Sequence, residues 1–196
     1  MSKRTLLVFP IVGLFLAAPV GSARAEHVRV GGTVAVLPLG QARLDGEGVS
    51  ESADTATAYG FGGIVEVQLL RHLAIGFAPR LLVNVKGEGA PESAKELDLA
   101  LRVIGNVPVG RIAQLYGFAA PGYSIIYVPD LPDEVGSPAG FIFGIGGGVA
   151  FDVGPHLRLA AELGYQLGAQ QLTESGQTLD VEIDFLHVGV SAMARL

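Results

Sequence analysis

The sequence predicts an all-β fold, an eight-stranded antiparallel up-and-down transmembrane β-barrel preceded by a cleavable signal peptide. Three observations predict it. A basic and then apolar N-terminal segment ends in a small-residue cleavage site, eight later stretches alternate apolar with polar residues, and the connections between them run long, short, long throughout.

Lys3 and Arg4 precede the apolar run Leu6 to Val20, and Ala23-Arg24-Ala25 puts small residues where a signal peptidase reads them. Residues 1–25 are therefore expected to be a signal peptide and residues 26–196 a single barrel domain. Cleavage would remove three basic residues, Lys3, Arg4 and Arg24, and no acidic one, taking the net charge from −6 to −9. So negative a chain offers nothing to nucleic acid. The absence of cysteine excludes disulfides, a lipidated N-terminal cysteine and thiolate metal sites. After the signal, the uncharged stretch of 18 residues is Ile112 to Pro129, and Gly117, Pro121 and Gly122 inside it argue for a strand over a spanning helix.

The alternation is clearest in the middle of the chain. Leu97, Leu99, Leu101 and Val103 share one face while Asp98, Ala100, Arg102 and Asn106 share the other. In 73–86, Ile75, Phe77, Leu81, Val83 and Val85 oppose Gly76, Ala78, Arg80, Asn84 and Lys86. In 157–168, Leu159, Leu163 and Tyr165 oppose Arg158, Glu162 and Gln166. The same reading of the rest predicts strands over 28–40, 58–69, 73–86, 97–108, 112–127, 139–152, 157–168 and 181–196. An even strand count with alternating connections puts both termini at the short-turn end, the periplasmic side of an outer-membrane barrel.

Charge follows the same division. The long connections 41–57, 87–96, 128–138 and 169–180 carry Asp45, Glu47, Glu51, Asp54, Glu88, Glu92, Glu96, Asp130, Asp133, Glu134, Glu174 and Asp180 against Arg43 and Lys95. The short turns carry Arg71, His72, Arg111 and His156. Acidic loops of this kind keep a rim soluble, and as binding surfaces they would suit divalent cations or basic partners.

A bilayer requires every backbone polar group to be paired, so the last strand must return to the first. With eight strands the interior is just wide enough for side chains to fill. Parity turns Glu66, Arg80, Arg102 and Glu162 inward at similar distances from the short turns, which predicts an ion-pair network closing the lumen, with Asn84, Asp98, Asn106, Gln166 and His187 as further inward polar residues. Tyr59, Tyr123, Tyr127, Phe151 and Tyr165 fall near strand ends on the outer face, where interfacial aromatics belong. Gly60, Gly62, Gly63 and the run Gly144, Gly146, Gly147 and Gly148 weaken ordinary strands and point to close packing or tight curvature.

With its signal, its eight strands, the segments Leu115-Tyr116-Gly117-Phe118 and Leu157 to Tyr165, and a last strand running to Leu196, the chain resembles the small outer-membrane barrels grouped as the OmpA-type transmembrane domain and OmpX-like proteins. The resemblance implies an integral outer-membrane protein of a Gram-negative cell, inserted by the barrel-assembly machinery and surrounded by outer-membrane lipid. Two features depart from it. The last strand ends on Leu196 where such families place an aromatic, and no peptidoglycan-binding domain follows.

The expected role is non-enzymatic, structural or surface-interacting, with no cofactor, no catalytic residue and no metal. His187, Ser191 and Glu162 invite comparison with outer-membrane lipid A deacylases, but the His-x-Ser spacing of that family becomes His187-Val188-Gly189 here, which leaves the nucleophile position empty. A soluble lipocalin-like barrel binding an apolar ligand is the different-class alternative. It would turn apolar residues inward and expose Arg80, Arg102 and Glu162.

Overall fold

The computed structural model describes residues 27–46, 49–129, 137–174 and 177–196. The expected signal peptide and the acidic residues Glu47, Asp130, Asp133 and Glu134 lie outside them. Nine strands form one antiparallel sheet: β1 (His27–Gly46), β2 (Val49–Asp54), β3 (Ala58–Leu70), β4 (Leu73–Val85), β5 (Ala94–Val109), β6 (Ala113–Tyr127), β7 (Ala139–Val153), β8 (Leu157–Glu174) and β9 (Gln177–Arg195). β1 pairs with both β2 and β3, each strand from β3 onward pairs with the next, and β1 also pairs with β9, so the sheet closes on itself. No helix among the described residues is long and apolar enough to cross a membrane; the strands make the wall.

The wall has eight members because β2 continues β3. Both pair with β1 in one register, Gln41 opposite Asp54 and Leu37 opposite Ala58, with equal steps along both strands. The short break between them is tied down by Thr55 N–H donating to the Gly40 carbonyl and Ala56 N–H to that of Lys86.

Two of the expected long loops are therefore hairpins. β1 runs on to Gly46 against β2, and β8 and β9 pair as far as Glu174 and Gln177. At ~3.3 Å per residue the 20 residues of β1 span roughly 65 Å, against roughly 43 Å for the 13 of β4. One side of the barrel thus stands taller than the other. The extension carries Gln41, Arg43 and Asp45 outward on β1 and Glu182 and Asp184 on β9, so no greasy face marks it in the sequence as strand.

Burial confirms the inside-out arrangement on which the membrane reading depends. Val34, Phe61, Leu101, Val103, Ile145, Leu163 and Val190 are outward and exposed, while Glu66, Arg102, Arg158 and Gln166 are inward and buried. In water such a surface would be untenable; against lipid tails it is the required one.

Strand stagger decides what meets inside. Following paired residues once around, from Val34 through Phe61, Leu81, Leu97, Ile125, Ala139, Gln171 and Asp180, returns to β1 at Asp45, far above the start. The strands are tilted, and equal counts from the turns are not equal heights.

Candidate functional site

The lumen is the part of this molecule with chemistry in it, and it is built in tiers. At the short-turn end Arg29 lies 3.8 Å from Glu66 and donates from Nη1 to Gln68 Oε1 at 3.1 Å. Beside it Arg158 Nη1 stands 3.8 Å from Asp152 Oδ1, and Gln114 Nε2 donates to Asp152 Oδ2 at 3.2 Å. These side chains come from the first inward positions of five strands, where parity alone turns them in.

The middle tier centres on Glu162. Arg102 Nη2 donates to Glu162 Oε2 at 2.8 Å, the Tyr116 hydroxyl donates to the same oxygen at 3.0 Å, and His187 Nε2 is 3.5 Å from Oε1. The Arg102 guanidinium also lies 4.0 Å over the Phe118 ring, a cation–π contact in a water-poor interior. Glycines on the neighbouring strands, directly opposite in register, make room for these rings. A Cβ on Gly146 would sit 2.7 Å from Phe118 Cζ, and one on Gly164 would overlap His187 Cε1. The glycine-rich β7 is thus a recess for the aromatic side chains of the adjacent β6, Phe118 over Gly146 and Tyr116 over Gly148.

Above it Arg80 Nη2 donates to Asp98 Oδ2 at 2.8 Å and also bonds Gln166 Oε1, while Gln166 Nε2 donates to Asp98 at 3.2 Å. The loop end is mainly apolar: Leu37, Ala58, Leu82, Val85, Ile126, Val181, Ile183 and Phe185 form one buried cluster.

The four inward charges expected to form one network are consequently divided among three tiers. Arg102 and Glu162 meet each other, Arg80 meets Asp98, and Glu66 meets Arg29, because the stagger separates residues that lie equally far from their turns. Asp98, Gln166, His187 and Asn106 are buried on the inner side. Asn84 is not a lumen residue: it occupies a bulge with φ of 63°, its Nδ2 donates to the Thr57 carbonyl at 2.7 Å, and the bulge reverses parity so that Val85 turns inward in its place. Glu96 also differs from expectation. Assigned to a loop, it begins the inward face of β5 and is 1% exposed.

Sequence reasoning missed Arg29, Gln68, Asp152, Tyr116 and Glu96 as lumen residues. For Arg29 and Asp152 the strand parity was the available signal. The five expected interfacial aromatics, Tyr59, Tyr123, Tyr127, Phe151 and Tyr165, all stand outward and exposed, and the Tyr165 hydroxyl bonds the Asp184 carboxylate. Among the described residues no group of three or more His, Asp or Glu side chains converges to hold a metal ion, and no serine hydroxyl bonds His187.

A closed antiparallel barrel with apolar residues outside and ionisable ones inside matches a known family model. The outer membrane protein beta-barrel domain model aligns with residues 11–193. The chain belongs to that family. Membership makes it an integral outer-membrane barrel. Among solved structures, the outer membrane protein OprG from Pseudomonas aeruginosa is 13% identical, with 87% of this chain and 95% of that chain covered and a TM-score of 0.64. Neisserial surface protein A is 17% identical, with 84% and 95% covered and a TM-score of 0.53. At these identities the likeness is one of fold. No curated protein matches the chain.

Proposed function

We propose that this outer-membrane barrel is non-enzymatic, that its lumen is closed by its own side chains, and that it serves envelope integrity or surface interaction through its acidic outer rim. The observation carrying the closed lumen is the stacking of Arg29–Glu66, Arg102–Glu162 and Arg80–Asp98 pairs beneath the apolar cluster around Phe185. Each tier takes its members from several strands, so ion passage would need successive charge pairs to part. Outer-membrane lipid around the apolar band is the first partner, and the barrel-assembly machinery is the partner during insertion. For the surface role the support is the tall hairpins, which carry Arg43, Glu51, Asp180, Glu182 and Asp184 past the strands of the shorter wall.

Conductance tests the closure. Purified protein in planar bilayers should show no steady channel, and a stable open conductance in the unmodified protein would sink the reading. A lipid-modifying activity is tested separately: lipid A from expressing cells should have the same mass profile as lipid A from cells without the protein.

A further inference from the structure

Beside the apolar cluster, the lumen holds buried oxygens with no hydrogen-bond partner among the described residues. Glu96, Asp98 and Gln170 are each 1% exposed and Ser124 is 0% exposed. Asp98 Oδ2 is taken by Arg80 and Gln166, yet Asp98 Oδ1, Glu96 Oε2 and Gln170 Oε1 are buried without a hydrogen-bond partner. They belong to one place. Asp98, Ser124, Gly140 and Gln170 are successive cross-strand partners on β5 to β8. Glu96 lies within hydrogen-bond reach of both Asp98 and Ser124, so a proton shared by the two carboxyls is the competing occupant. Gln170 folds back over Gly168, where a Cβ would stand 2.6 Å from its Nε2, and that Nε2 donates to Ser124 Oγ at 2.8 Å.

Two carboxylates here face one guanidinium, that of Arg80, so the ionised cluster carries one excess negative charge away from water. Such a charge is costly unless something neutralises it. We propose that Glu96, Asp98, Ser124 and Gln170 hold a single hard monovalent cation of sodium type, occluded in the loop half of the barrel. All four donors are oxygens, which select hard ions over thiolate- or imidazole-seeking metals. One positive charge brings the cluster to neutrality, whereas a divalent ion would leave it positive. A cation seated among Glu96, Asp98 and Gln170 would give all three orphaned oxygens a partner. A proton bridging the two carboxyls leaves Gln170 Oε1 without a partner.

The proposal goes beyond the closed-lumen reading and is tested apart from it. The full chain, refolded in detergent in sodium chloride and desalted into choline chloride, should retain about one sodium per chain by elemental analysis, and its melting temperature should exceed that of protein refolded without sodium. Glu96→Gln should abolish both effects, and Gln170→Leu should weaken them. The unmodified protein alone is decisive should either variant fail to fold. A conducting lumen would lose the ion on desalting but keep the sodium-dependent melting temperature, which overturns the closure and not the site. A melting temperature indifferent to sodium, with none retained, overturns the site. Stability that rises on acidification in the absence of sodium, with sodium without effect, assigns the excess charge to a shared proton and overturns it equally. Preferential retention of calcium when both ions are offered overturns the monovalent assignment.

Discussion

The two halves of the lumen are filled by different physics. From the short turns to the middle, guanidinium–carboxylate pairs span between strands, with small apolar clusters such as Ile64, Ala150, Ala160 and Met193 between them. Toward the loops the contents are mainly apolar, with Leu37, Leu82, Ile183 and Phe185 packed together and a polar pocket tucked against β5 to β8. A barrel half closed by charge pairs depends on each partner being present, because a widowed buried ion is costly while the intact pair is close to neutral in stability. A half closed by apolar packing depends on volume, and losing it leaves a cavity. One wall thus supports two closures that fail in different ways.

Substitutions can break that comparison or sharpen it. The largest effect is expected for Arg102→Ala, which leaves Glu162 buried with no arginine partner and should cost about 3–5 kcal/mol in urea unfolding followed by far-UV circular dichroism. Replacing Arg102 and Glu162 together by apolar residues should restore most of it; an equal loss in the double variant would mean that charge pairing is not what the tier contributes. In the apolar half, Leu82→Ala should cost about 2–5 kcal/mol, with no rescue by a charge change elsewhere. On the lipid face of the middle wall, Leu101→Arg should cost about 2–4 kcal/mol, a penalty that vanishes if this surface meets water. Gly146→Ala should cost about 1–3 kcal/mol, because its Cβ would press on the β8 backbone at Leu163 and Gly164 as well as on Phe118, and Phe118→Leu in the same chain should recover only the Phe118 share. Least of all, Arg43→Ala on the exposed extension, where its partner is Asp45, should change stability by about 1 kcal/mol or less.

The same two halves differ in how legible they were. In the turn half many inward residues are polar and the outward ones apolar, so Arg102 between Leu101 and Val103 declares its side at once. In the loop half both faces are apolar, as in Val36-Leu37, Leu81-Leu82 and Ile125-Ile126, and alternation loses its contrast. Val85, outward by simple alternation, became core only once the Asn84 bulge was visible. On the extension the contrast fails for the opposite reason, since water faces Gln41, Arg43 and Asp45, and strand was read as loop.

Taken alone, the amino-acid order determined the barrel, its membrane-facing surface and which ionisable groups had to turn away from lipid, because side-chain direction along a strand is a local property with a period of two residues. Only the closed tertiary structure decided which of those groups meet. Pairing across a lumen depends on stagger accumulated around all the strands, and a single bulge alters it, so Glu66 found Arg29 and Arg80 found Asp98.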